Sequence, residues 1–252
     1  MSKSLYPTAL FHFTKEKNVF ESIIKGMEFR VSYAREFIKG ASTNRNFGIP
    51  MVSFCDIRLS QLEQHTKSYG EFGIGLSKEW AENNNLNPVI YMNKESDVFD
   101  RFNTQLRKIK NKIKKDYDSD DEILSNEVYR NLINVMRYMK NYSGTLKRVG
   151  KKDVSNYIFA DEREWRYIPK PGEMNGSAFI VSGSNIDTKE KKAKYNNGLK
   201  NVVLNFGFDD VKYFIVDKED SIDSLIDLFI KMDVEKKHYS KIICSKQIND
   251  DL

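Results

Sequence analysis

The chain has 252 residues, 40% hydrophobic and 31% charged, which allows one large domain or two small ones of about 150 residues. Its 16 Phe, 13 Tyr and 2 Trp supply a core and exclude a disordered chain. The 41 basic and 36 acidic residues leave +5, too little by itself to imply nucleic acid, so clustering matters more than the total.

The two cysteines, Cys55 and Cys244, stand far apart and outside any CxxC or Cys/His cluster. That argues against a structural metal site and a disulfide scaffold. No apolar run approaches the roughly 20 residues that cross a bilayer. Met1–Pro7 carries no apolar signal core. The expected setting is a reducing cytoplasm with no membrane partner.

In chain order, the aromatic run at residues 8–14 predicts a strand. Val19, Phe20, Ile23 and Ile24 have helical spacing, with Gly26 as a stop, and Met27–Ser32 reads as a second strand. Residues 40–49 read as a loop. Pro50–Cys55 predicts a buried strand, Leu59–Tyr69 a helix, and Gly70–Leu76 a glycine-loosened strand. Ser77 suits the N-cap of a short helix through Trp80, and Pro88–Met92 is another strand.

Between about 94 and 152 the apolar period changes to three and four. Val98, Phe102, Leu106 and Ile109 predict one helix; Val128, Leu132, Val135, Met136 and Met139 predict a second. The acidic turn Asp116–Glu122 separates them. Seven Lys or Arg and no Asp or Glu lie from Arg101 to Lys115, among them Arg107, Lys108, Lys110 and Lys112. Such a face can meet phosphates or a protein partner, or simply be solvated beside the acidic run. Strand signals return at Glu162–Ile168, Ala178–Val181, Val202–Phe206, Tyr213–Val216 and Ile242–Cys244, with a helix at Ile222–Met232. The whole chain, 1–252, therefore reads as a single α+β domain with a helical insertion at about 94–152.

Three stretches offer chemistry. On a strand, His12 and Thr14 share one face, opposite Phe11 and Phe13. This pair can hold a ribose hydroxyl or a carboxamide; a histidine satisfied by a backbone carbonyl is the alternative. An extended 161–167 puts Glu162, Glu164 and Arg166 on one face, the carboxylates about 7 Å apart. A carboxylate held ionised beside a sugar stabilises an oxocarbenium-like transition state or deprotonates a nucleophile. A solvated edge strand with a surface ion pair is the competing reading. In 65–75, Gly73 and Gly75 would let a flat ligand approach the backbone and Tyr69 could stack on it, or the glycines mark a tight bend. GxGxxG is absent. Ser53, Cys55 and Asp56 close a buried strand, where a free cysteine is usually core filler. His238, in a lysine-rich tail, is expected to be solvated.

The blocks Ile49–Ile57, Gly73–Trp80 and Asn87–Val89, with His65, Tyr69, Gly70, Leu10–Thr14 and Asp161–Pro169, resemble the AbiGi family of bacterial abortive-infection proteins. That resemblance implies antiphage defence within a toxin–antitoxin-like pair, and hence a cognate toxin or antitoxin as partner. The order of His-x-Thr, a middle Ser/Tyr block and a late Glu-x-Glu is also similar to ADP-ribosyltransferases, including DarT-like enzymes. This second resemblance implies an ADP-ribosyltransferase-like mixed sheet core and NAD as co-substrate, with a nucleic acid or protein as acceptor. By it, His12 and Thr14 would hold ribose and carboxamide, and Ser53 and Tyr69 would lie by the nicotinamide. Glu164 or Glu162 would be catalytic, braced by Arg166. The middle block lacks a Ser-Thr-Ser motif, and Arg166 is not usual in the arginine-specific transferases. The expected function is an NAD-dependent defence effector. The alternatives are a non-catalytic antitoxin or sensor and a nucleic-acid-binding regulator.

Overall fold

The structure, a computed structural model, describes residues 7–117, 119–146 and 152–251. Asp118 of the acidic turn, residues 147–151 of the expected insertion and most of the stretch read for a signal core lie outside these. The chain runs β1 (Ala9–Thr14), α1 (Lys17–Gly26), β2 (Glu28–Arg30), β3 (Ser32–Lys39), β4 (Asn44–Cys55) and α2 (Leu62–Tyr69). It continues through β5 (Phe72–Ser77), α3 (Lys78–Asn83), β6 (Asn87–Pro88) and β7 (Ile90–Met92). Three helices follow, α4 (Val98–Ile113), α5 (Asp120–Ser125) and α6 (Glu127–Arg137), then β8 (Met139–Asn141), β9 (Ser143–Leu146) and β10 (Val154–Ile158). The last part holds β11 (Glu164–Tyr167), β12 (Val181–Ser182), α7 (Lys189–Asn197), β13 (Val203–Asn205), β14 (Val211–Val216), α8 (Asp220–Lys231), β15 (Ile242–Cys244) and α9 (Ser245–Asp251).

The main sheet is mixed, in the order β15-β14-β5-β1-β4-β11-β6, with β3 and β12 also paired to β4. Only β14 and β15 run parallel within it. The alternation of β1 explains its central place. Leu10 joins Ile74, Leu76 and Phe214 in the larger core on one side of the sheet. Phe11 joins Cys55, Leu62 and Ile215 on the other. A third cluster lies where α4–α6 cover β3 and the first half of β4.

β4 joins these regions. Its first half pairs with β3 from Lys39↔Asn44 to Ser32↔Met51, and its second half pairs with β11. β1 meets it at a single register pair, Phe11↔Cys55. The two strands part beside that pair, and the candidate site opens there.

Several expectations need correction. The loop read at 40–49 is strand from Asn44 onward, and β3 carried no strand signal. Its alternation is broken in the middle: Glu36 is buried on the same face as Ile38, whereas Phe37 is 54% exposed. The helical faces are only partly as expected. Leu106 and Met136 face inward, but Phe99, Tyr129 and Ile133 do so where Val98, Val128 and Val135 are exposed. Polar docking sets that rotation: Asp100 accepts from the amides of Ser42 and Thr43, and Asn103 Oδ1 from Arg45 Nε at 2.6 Å. The acidic turn starts a third helix, α5, capped by Ser119. Pro88–Met92 divides between β6, on the main sheet, and β7, paired with β8. The space over Gly73 and Gly75 holds no room for a ligand, because the rings of Phe13 and Phe11 fill it. His238 is 3% exposed and packs on Phe208 at 5.4 Å between ring centres.

Candidate functional site

The parting of β1 and β4 leaves Ser53's carbonyl without a strand partner on the β1 side. His12 supplies one: its Nδ1 lies 2.9 Å from Ser53 O. A carbonyl can only accept, so Nδ1 carries the proton and Nε2 keeps its lone pair. Burial lowers the pKa of His12 against that hydrogen bond, so the ring is neutral at pH 7. Its edge and face rest on Phe29 and Phe54 at 5.0 and 5.6 Å.

β11 supplies the opposite wall. Its register against β4 places Glu164 across from Cys55 and Arg166 across from Ser53. Glu162 is not on the strand. It ends a 3-10 turn, Phe159–Glu162, and Arg163 follows with φ 43, which turns the chain into β11. The two carboxylates nevertheless meet, because Lys140 of β8 holds both: Nζ is 2.8 Å from Glu162 Oε2 and 2.7 Å from Glu164 Oε2. Arg166 is 0% exposed and spends its donors on Glu164 Oε1 at 2.7 Å, Glu36 Oε1 at 2.6 Å and the Arg137 carbonyl at 2.7 Å. Tyr157 and Tyr69 both donate to Glu162 Oε1.

The electrostatics follow from three carboxylates sharing two buried cations. Burial opposes the charge on Glu164, but Arg166 and Lys140 outweigh it and hold its pKa at about 2. Burial also opposes the charge on Lys140, yet Glu164 and Glu162 raise its pKa well above the usual lysine range. Glu36 moves the other way: burial lifts it despite Arg166. Burial and Glu162 push the Tyr69 phenol up. They push up the Cys55 thiol as well, which leaves it a protonated core residue and no nucleophile.

These groups enclose a cavity of about 130 Å³. His12, Ser53, Tyr69, Lys140, Glu162 and Glu164 all line it, and His65 stacks on Tyr69 at 4.4 Å. Thr14 is not among its walls, and Arg166 stands behind Glu164 rather than facing in. Arg107, Lys108, Lys110 and Lys112 belong to α4, away from these walls, and all but the half-buried Lys110 are exposed. Lys140 and Glu36 were missed at the sequence level. Glu36 stands next to Arg35 and Lys140 three residues after Arg137, and nothing in either stretch points to Arg166, Glu162 or Glu164, which lie more than twenty residues away.

Residues 27–217 match the AbiGi family, described as abortive phage resistance protein, antitoxin. An abortive phage resistance protein AbiGi of Lactococcus lactis subsp. cremoris is 30% identical over 244 residues, covering 86% of this chain and 95% of that one. The chain belongs to the AbiGi family. AbiGi proteins are thereby placed in antiphage defence, and the matched segment contains Ser53, Tyr69, Lys140 and the Glu162–Arg166 wall, though not His12. No solved structure matches. Among the described residues no helix is long and apolar enough to cross a membrane, and no cluster of His, Cys, Asp and Glu could hold a metal ion.

Proposed function

We propose that this AbiGi protein is a cytoplasmic defence effector that binds NAD in the cavity between β1, β4 and β11 and breaks its nicotinamide–ribose bond. One observation carries the reading: His12, Tyr69, Glu162 and Glu164, far apart in sequence, line one cavity. Its residues fit that substrate. The cavity has room for one flat ring rather than a whole dinucleotide, so the rest of NAD would lie at its mouth. His12 Nε2 offers an acceptor to a ribose hydroxyl. Glu162 and Glu164 form a preorganised anionic wall, and fixed anions stabilise positive charge developing on a sugar. NAD supplies the ribosyl group and the nicotinamide that leaves; the anomeric carbon bonds to water or to a nucleophile of a nucleic acid or protein acceptor, whose proton passes to solvent. Lys140 holds both carboxylates in place and keeps Glu164 ionised.

Incubation of the purified protein with NAD tests this by chromatographic measurement of nicotinamide. The wild type should release it, and Glu162→Gln should lower the rate by at least about a hundredfold, the scale of losing one electrostatic contact to the transition state. A wild type that neither binds nor consumes NAD with nucleic acid or protein acceptors would end the reading.

A second reading, a non-catalytic antitoxin, draws on a different observation. Every oxygen of Glu162 and Glu164 already accepts a hydrogen bond, as in a purely structural network. In that case the basic face of α4 is the surface for a toxin partner, and growth rescue of a co-expressed toxin replaces NAD turnover as the measurable activity.

A further inference from the structure

A second cavity, of about 310 Å³, opens between the helical stretch and the segment after β11. Its walls include Ser125 from α5, Arg130 from α6, and Ser177 and Phe179. No Asp or Glu lines it among the described residues. Arg130 is half-buried, and its guanidinium makes no ion pair or hydrogen bond among the described residues. Two turns further along α6, Arg137 is 1% exposed, and its guanidinium carbon lies 3.7 Å from the centre of the Phe179 ring. Arg137 Nη1 donates to Asn134 Oδ1 at 3.3 Å, whereas Nε and Nη2 are buried without a partner. Burial lowers its pKa to about 9, with only Tyr138 and Tyr33 favouring the charge. A buried guanidinium with idle donors and no counter-anion is costly to keep, which is unusual in a folded protein. Arg166, by contrast, has two carboxylates.

We infer that this cavity binds a small phosphorylated molecule, its phosphate dianion seated on Arg130 and the Ser177 hydroxyl, with Arg137 adding a second positive charge through Phe179. The cavity has no acidic wall among the described residues and a second guanidinium packs on its Phe179 wall, so the local charge favours an anion, and the Arg130 guanidinium fork matches phosphate oxygens. Ser125 takes no part as a donor, since its hydroxyl already donates to Glu122 O. The inference is independent of the NAD reading, because the two cavities share no wall residue.

Calorimetric titration of the full chain with inorganic phosphate, at constant ionic strength, provides the test. Saturable binding is expected, weakened about tenfold or more in Arg130→Gln, the loss of one charge-assisted contact. Arg137→Met should weaken it severalfold. Ribose 5-phosphate should bind at least as tightly as inorganic phosphate, and ribose should not bind. Absence of saturable phosphate binding by the wild type overturns the inference. So does an Arg130→Gln variant that binds like the wild type, or ribose binding as well as its phosphate. The Arg130 guanidinium makes no ion pair or hydrogen bond that the fold depends on among the described residues, so its variant folds even if the Arg137 variant does not.

Discussion

At the residue scale, Glu164 has two tasks. It faces the cavity, and it is also the shared anion of Lys140 and Arg166. Removing one partner from a buried ion pair costs about 3–5 kcal/mol, because the other charge stays buried. Glu164→Gln should therefore lower unfolding free energy by that order at pH 7, measured in urea. A variant as stable as the wild type would show that the network contributes little. The pH dependence has a definite sign. The folded pKa of Glu164, about 2, lies below its ordinary 4.5, so the stabilisation is present above about pH 4.5. It is lost as pH falls from 4.5 towards 2, and the gap between wild type and variant should close over that window. The alternating charges of 162–166 made this wall legible in the sequence. Lys140 and Glu36 were not legible, since only the fold brings β8 and β3 to β11.

At the element scale, strands with short apolar or aromatic runs could be read directly, and β1, β5 and β14 sit where those runs suggest. β3 could not, because a buried ion pair breaks its pattern: Glu36 points inward to Arg166, on the same face as Ile38. The glycines of β5 were legible as an exception but not in their purpose. Gly75 is the cross-strand partner of Phe11, and an added Cβ there would lie 2.7 Å from that ring and 3.2 Å from Tyr213. Alanine for glycine gains roughly 0.4–1 kcal/mol through the unfolded chain. Overpacking costs about 1–3 kcal/mol. The clash wins, so Gly75→Ala should move the urea midpoint downward; an upward shift would mean that the rings yield easily.

At the scale of the whole molecule, family membership sets the context and surface charge sets the test. α4 buries Phe99, Asn103 and Leu106 and turns Arg107, Lys108 and Lys112 to solvent. Replacing those three by Glu should leave thermal stability within the small range of surface changes, about 0.5 kcal/mol. The same change should break a complex with a co-expressed toxin partner, read by pull-down. An unchanged complex would remove α4 as the contact surface.

The parting of β1 from β4 has a last consequence, for synthesis. The cavity draws on residues 12, 53, 69, 140, 162 and 164, so a ribosome must deliver nearly two-thirds of the polypeptide before its walls can close. Copies that end before residue 162 lack the anionic side altogether.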